Sequence, residues 1–240
     1  KNNGINESIY KNWIYESRHG KMSYLENHVK FKFKPDIFFP GCKSLISLGM
    51  PYLKKINLEN SVYKIAKYAR YEDYHNIFDK KLKTAISKLQ ILFPNEKFWY
   101  ASDNTPISEK FYALKSDIGF LGQNGLIINP KYGSWILLGE IFTTKEIKVS
   151  DNLSENNVCS GCNRCMELCP TKAIYKPYLI DTRKCLSYLT IENKEEIPQE
   201  LRKSLGNCIF GCDICQEVCP HNQNVSETLE TAFLEPKIFE

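Results

Sequence analysis

Residues 159–219 carry a set of cysteines spaced for metal chemistry. Cys159, Cys162, Cys165 and Cys169, with Pro170 after the last, follow C-x2-C-x2-C-x3-C-P. In such a run three thiolates wrap one face of an iron–sulfur cubane and the fourth points to a second cubane. Cys212, Cys215 and Cys219, followed by Pro220, repeat the run without its first cysteine, which Cys185 can supply. Crossing then assigns Cys159, Cys162, Cys165 and Cys219 to one [4Fe–4S] cluster, and Cys169, Cys185, Cys212 and Cys215 to the other. Zinc also binds paired cysteines, but eight thiolates in crossed spacing, with a proline after each terminal cysteine, favour two cubanes. Cys42 and Cys208 are left over. Cys42 reads as a small core residue before a strand, whereas Cys208 lies close enough to Cys212 to compete for a ligand position.

Composition sets the context for these thiols. Apolar residues make up 42% and charged residues 25% of 240, an ordinary globular balance. No apolar run is long enough to cross a membrane. The first twenty residues lack a hydrophobic core segment, so no export signal and a cytoplasmic location are expected. The thiols are therefore expected to bind metal and not to form disulfides. The chain starts at Lys1, which reads as a trimmed product. Residues 1–100 hold 18 Lys+Arg against 9 Asp+Glu, while residues 101–240 hold 14 against 19. A basic half suits a polyanionic partner such as RNA.

The elements that must position this chemistry follow from periodicity. Residues 7–30 read as helical, with Ile9, Trp13 and Ile14 on one face. Lys43–Met50 reads as a buried strand after the Pro40-Gly41 turn. Residues 76–93 form the clearest helix, with Phe78, Leu82, Ala85, Ile86, Leu89 and Phe93 at helical spacing. Lys97–Ala101 reads as a strand and Ile107–Ser116 as a helix. Gly125–Asn129 and Trp135–Phe142 read as strand, turn and strand around Pro130 to Gly133. This mixture without strict alternation predicts an α+β protein. Its expected parts are a mixed α/β unit over 1–152, a ferredoxin-like unit with two clusters over 153–223, and a tail over 224–240. The texture changes at Asp151, so the boundary is placed near 152.

The chain also resembles the epoxyqueuosine reductases, cobalamin-dependent iron–sulfur enzymes of tRNA modification. The resemblance runs through Pro40-Gly41-Cys42-Lys43-Ser44, Tyr68-Ala69-Arg70 and Asp73-Tyr74-His75. It continues in Asp103 to Pro106, Ile118-Gly119-Phe120, Asn124, Gly133-Ser134-Trp135 and Gly139-Glu140. SYLTIE after Cys185, and GCDICQ beginning at Gly211, complete it. The resemblance implies reduction of the epoxide of epoxyqueuosine, at the wobble position of tRNA, to the alkene. This last step of queuosine formation would use cob(I)alamin fed by the two clusters. The first unit would be the cobalamin-binding domain, with cobalamin lying between the two units.

Asp103 matches the family's proton donor, which needs a carboxyl held protonated. By residue type alone, an Asp before a helix reads as an N-cap. Tyr74 and His75 match a motif on the cobalamin side, although a satisfied core histidine is the plain alternative. Ile127 and Leu138 fall on strands bordering the corrin, Ser187 falls near a cluster, and Lys32 matches a basic residue close to cofactor or substrate. Three positions depart from the family. Lys110 stands in place of Arg, which costs the bidentate fork; Asp117 replaces a common Gly and Gln123 a common Lys. The implied partners are the anticodon stem-loop of tRNA and an external electron donor such as a flavodoxin or ferredoxin, with the protein a monomer. Two other readings keep part of this evidence: a reductive-dehalogenase-like reductase of a small molecule, and a ferredoxin-type electron carrier. The basic half and the SYLTIE and GCDICQ segments favour the tRNA reading.

Overall fold

The computed structural model describes residues 4–55, 62–148, 159, 161–233 and 236. The boundary expected near 152 lies outside the described residues. The first unit opens with α1 (Glu7–Tyr15), α2 (Tyr24–Asn27) and α3 (Pro35–Phe38), followed by β1 (Ser44–Pro51) and the short β2 (Lys64–Ile65). Then come α4 (Tyr74–Leu92), β3 (Phe98–Ala101), α5 (Glu109–Lys115), β4 (Phe120–Leu121), β5 (Ile127–Ile128) and β6 (Ile136–Thr143). The second unit holds α6 (Arg164–Glu167), β7 (Ile174–Lys176), β8 (Leu179–Ile180), α7 (Leu186–Ile191), α8 (Gln199–Leu205), β9 (Cys208–Phe210) and α9 (Ile214–Glu217). No helix among the described residues is long and apolar enough to cross a membrane.

A three-stranded antiparallel sheet in the order β1-β6-β3 centres the first unit. The period of two sends alternate β6 side chains to opposite faces. On one face Ile141 packs with Phe78 and Leu82 of α4. On the other, Phe142 packs with Ile107, Tyr112 and the phenylalanines around α3. The helix expected over 76–93 begins at Tyr74, because the Asp73 side chain accepts the His75 amide at 3.0 Å and caps the first turn. Pro94 follows its end at Phe93. Gly139 lets Phe78 approach β6: a Cβ there would sit 2.9 Å from the Phe78 ring.

Two expectations need correction. The helix over 7–30 ends at Tyr15, and Ser17 and Gly20 then adopt positive φ, which ends the regular turn. The strands around Pro130 do not form a hairpin. Only an isolated Asn129–Gly133 bridge joins them, and β5 pairs with β4 while β6 pairs with β1 and β3. β6 is claimed by two longer partners, and no periodicity signal encodes that choice.

The two units and the tail interlock. β9 pairs in parallel with β2, with Lys64 opposite Cys208. The segment expected to be a tail returns to the first unit, where the fully buried Phe233 packs against Tyr71.

Candidate functional site

The thiols gather into two groups. Cys165 and Cys219 both feel the charges of Cys159 and Cys162. Cys215 feels Cys185 and Cys212, and Cys185 in turn feels Cys169. Cys165 and Cys215 neighbour each other across the two groups, and Cys208 lies beside Cys212. Burial pushes the Cys165 thiol up to about 11 and Cys212 to about 12, with neighbouring thiols adding to the rise. Without metal these thiols keep their protons at neutral pH, so cluster uptake must displace them. Among the described residues, no three Cys, His, Asp or Glu side chains converge as they would on a single ion. A cubane instead spreads its four thiolates over four irons.

Polar contacts fix the cluster loops to the first unit. Gln123 Nε2 donates to the Cys159 carbonyl at 2.9 Å, and Asn124 Nδ2 donates to the Cys215 carbonyl at 3.4 Å. Ser134 Oγ donates to Gln216 Oε1 at 2.8 Å, and Asn222 Oδ1 accepts the Ser134 amide at 2.7 Å. Gly133 has φ +62°, and a Cβ there would meet Asn222 Oδ1 at 2.0 Å. The departures also find local reasons. Asp117 has φ 56°, a conformation that Gly takes freely and Asp tolerates better than most residues. Gln123 serves the Cys159 loop as an amide donor.

A cavity of about 930 Å³ opens between the units. Lys32, Asp103, Glu109 and Lys110 line one side, and Cys185 and Ser187 line another. Its volume is at the upper end for small-molecule sites, which suits a large flat cofactor. His28 Nδ1 and Thr105 Oγ1 are buried without a hydrogen-bond partner among the described residues, and both residues line the cavity. Such orphaned groups suit a polar ligand.

Asp103 has φ 58°, a strained conformation for a non-glycine residue. Its side chain is 67% exposed. It is not an N-cap, since α5 is preceded by Ser108. Its own amide donates to Glu109 Oε1 at 2.7 Å. Tyr74 Oη donates to Asp103 Oδ2 at 3.1 Å, and His75 Nε2 lies 4.0 Å from the same oxygen. Burial first, and the Asp103 carboxylate second, hold the Tyr74 hydroxyl well above its usual range, so it stays a proton donor. His75 is no core histidine: it is 46% exposed and bonds Asp73 through Nδ1 at 2.6 Å. Tyr74 and His75 thus reach the site through Asp103 and lie outside the cavity wall. Ile127 and Leu138 also lie outside it. Ile127 is core, and Leu138 sits opposite Gly49 in the sheet.

The expected list omitted two buried carboxyls. Glu140 of β6 is fully buried, and neither oxygen has a partner among the described residues. Burial raises its carboxyl far above the ordinary range, and the Glu109 and Asp103 charges add to that. Glu109 is raised by burial as well, although it keeps some surface towards the cavity. The same burial lowers the Lys32 and Lys110 ammoniums. A glutamate inside the apolar strand ILLGEIFT was the legible signal for Glu140; nothing local marks Glu109.

A 4Fe-4S double cluster binding domain matches residues 158–222, and the family described as epoxyqueuosine reductase QueG, DUF1730, matches residues 32–104. The epoxyqueuosine reductase of Cyclobacterium marinum is 40% identical over 93% of this chain and 73% of its own length. That of Pseudomonas aeruginosa is 36% identical over 92% of this chain and 62% of its own length. A crystal structure of an epoxyqueuosine reductase with an epoxyqueuosine-modified tRNA-Tyr stem loop superposes with TM-score 0.84 at 26% identity, covering 98% of this chain and 63% of that one. The chain therefore spans less than two thirds of some of these relatives. The mixed α/β unit and the double-cluster domain define an iron–sulfur oxidoreductase. The chain belongs to the epoxyqueuosine reductase family.

Proposed function

We propose that this protein reduces the epoxide of epoxyqueuosine in the anticodon loop of tRNA, giving the alkene and water. The observation that carries this reading is the cavity wall, where Asp103 and the thiol of Cys185 border one space. The two groups of four cysteines would hold [4Fe–4S] clusters, the group containing Cys185 nearer the cavity. Cobalamin would occupy the cavity, with His28 and Thr105 offering polar contacts and Ser187 lying beside the Cys185 cluster. When bound, it supplies a strongly reducing cobalt centre for opening the epoxide. Lys32 and Lys110 set a cationic wall suited to the polyanionic substrate.

Asp103 is the proton donor in this reading. Opening the ring leaves an alkoxide, and Asp103 gives its oxygen a proton. The hydrogen bond from the Asp103 amide to Glu109 and the Tyr74 hydroxyl hold the loop in place. A Bacillus subtilis relative is described with its catalytic aspartate loop swung out of the active site, at TM-score 0.79 and 25% identity; that swing is consistent with a strained, movable Asp103 loop. The unit boundary near 152 and an external flavodoxin or ferredoxin donor complete the proposal.

The test is anaerobic titration of cluster-reconstituted protein with cob(II)alamin, followed by electron paramagnetic resonance. Stoichiometric binding with both clusters intact is the expected result. Intact clusters without binding would leave a ferredoxin-type carrier.

A further inference from the structure

Turning an epoxide and two protons into an alkene and water takes two electrons, which a carrier outside the protein must deliver. Of the two thiol groups, the one that contains Cys185 borders the cavity, and none of Cys159, Cys162, Cys165 and Cys219 lines it. The groups meet where α6, which carries Cys165, packs against α9, which carries Cys215. Electrons bound for the cavity therefore enter at the group farther from it. Within that group Cys159, Cys165 and Cys219 are buried, and only Cys162 keeps partial exposure. Cys162 shares a small recess with Arg164, Pro220 and His221.

We propose that the face around Cys162, formed by α6 and by the turn bearing Lys131, docks an acidic one-electron carrier of the flavodoxin or ferredoxin class. The proposal rests on the reading of the protein as an epoxide reductase. Each docked carrier is oxidised by one electron, and the cluster on Cys159, Cys162, Cys165 and Cys219 is reduced by one. Two successive dockings supply the pair that the epoxide consumes.

The face has the charge and the shape for such a partner. Arg164 is exposed and has no acidic partner among the described residues. Leu168 lies one helical turn on, donating its amide to the Arg164 carbonyl at 2.9 Å, and is 52% exposed. Lys172 Nζ donates to the Glu167 carbonyl, which brings a second cation to the end of α6. Across the recess, exposed Lys131 lies on the turn whose Gly133 packs against the His221 carbonyl. These cations outnumber Glu167, the exposed acid on α6, while Glu217 of α9 is engaged by Lys67. Electron-transfer encounters are small and transient, and complementary charge governs how fast they form. RNA is drawn to cations as well, but Arg164, Leu168, Lys172 and Lys131 all lie off the wall of the cavity that a stem-loop must reach.

The test is stopped-flow reduction of cluster-loaded protein by reduced flavodoxin, an acidic carrier, read as bleaching of cluster absorbance. Wild type is compared with Arg164→Glu, Lys131→Glu, their double variant and Lys88→Glu, the last at an exposed lysine of α4. The double variant is expected to be reduced at least about tenfold more slowly at low salt, within the range that charge steering gives. The difference should shrink near about 1 M salt, where screening acts within about 3 Å. Dithionite, too small to need the whole face, should bleach all five proteins alike. Lys131 lies outside the cluster loops, so Lys131→Glu alone decides the matter if Arg164→Glu loses its cluster. Wild-type flavodoxin rates in every variant would overturn the proposal, as would equal slowing by Lys88→Glu. So would a wild type that dithionite reduces and flavodoxin does not. Loss of stem-loop affinity in the double variant, with its flavodoxin rate unchanged, would give the face to RNA instead. Bleaching is read without substrate, so a protein that flavodoxin reduces at this face but that leaves the epoxide intact would sink the reductase reading alone.

Discussion

At Asp103 the backbone takes a conformation that costs on the order of 1–3 kcal/mol for a non-glycine residue. The bonds from its amide to Glu109 and from Tyr74 to its carboxylate hold it there. Asp103→Asn keeps this shape and removes the acid. Turnover should fall by about 10²–10⁴-fold, with cluster and cobalamin spectra unchanged; unchanged turnover would sink its role. A second prediction concerns stability. Glu140 is raised, so the native state keeps a proton that the unfolded chain loses above roughly pH 4.3. Stability from this group is fully present below that pH and declines as pH rises towards the raised value. Glu140→Gln should therefore raise Tm relative to wild type, and by more at pH 8 than at pH 5. Melting curves at the two pH values check the sign. Asp103 was legible only through the family resemblance, since its residue type suggested a helix cap.

At the scale of elements, β6 is the pivot. One face closes on α4, and the other carries Glu140 towards α5. Phe233, fully buried, seals the α4 side from the far end of the chain. Phe233→Ala should cost about 3–5 kcal/mol, measured as a shift in denaturant midpoint; a negligible shift would show that the C-terminal segment merely rests on the surface. Gly133, which precedes β6 and meets Asn222 of the second unit, gives another check. Gly133→Ala places a Cβ against Asn222 in a left-handed conformation and should lower Tm and cluster retention together. α4 was legible because its apolar period is long and capped, and β1, β3 and β6 because their apolar or aromatic runs are bounded by turns. The end of α1 at Tyr15 and the separate partners of β5 and β6 were not. The first depends on positive φ at Ser17 and Gly20, and the second on strand partners far along the chain, which local pattern does not encode.

For the whole molecule, two units share one cavity, and each lines part of it. The cysteine spacing was readable because cubane geometry dictates it, and Glu140 stood out as a charge inside the apolar strand ILLGEIFT, whereas Glu109 was not readable, since only the fold buries it. The basic first hundred residues predict stem-loop binding that weakens steeply between 50 and 200 mM salt; affinity independent of salt would place the RNA elsewhere. The proposed activity is removal of one oxygen from a tRNA base. The most direct measurement is mass spectrometry of an epoxyqueuosine-containing anticodon stem-loop, incubated anaerobically with reconstituted protein, cobalamin and a reductant. Loss of one oxygen from the modified nucleoside, dependent on both cobalamin and the clusters, is the expected result. Full retention of that oxygen by fully loaded protein would contradict it.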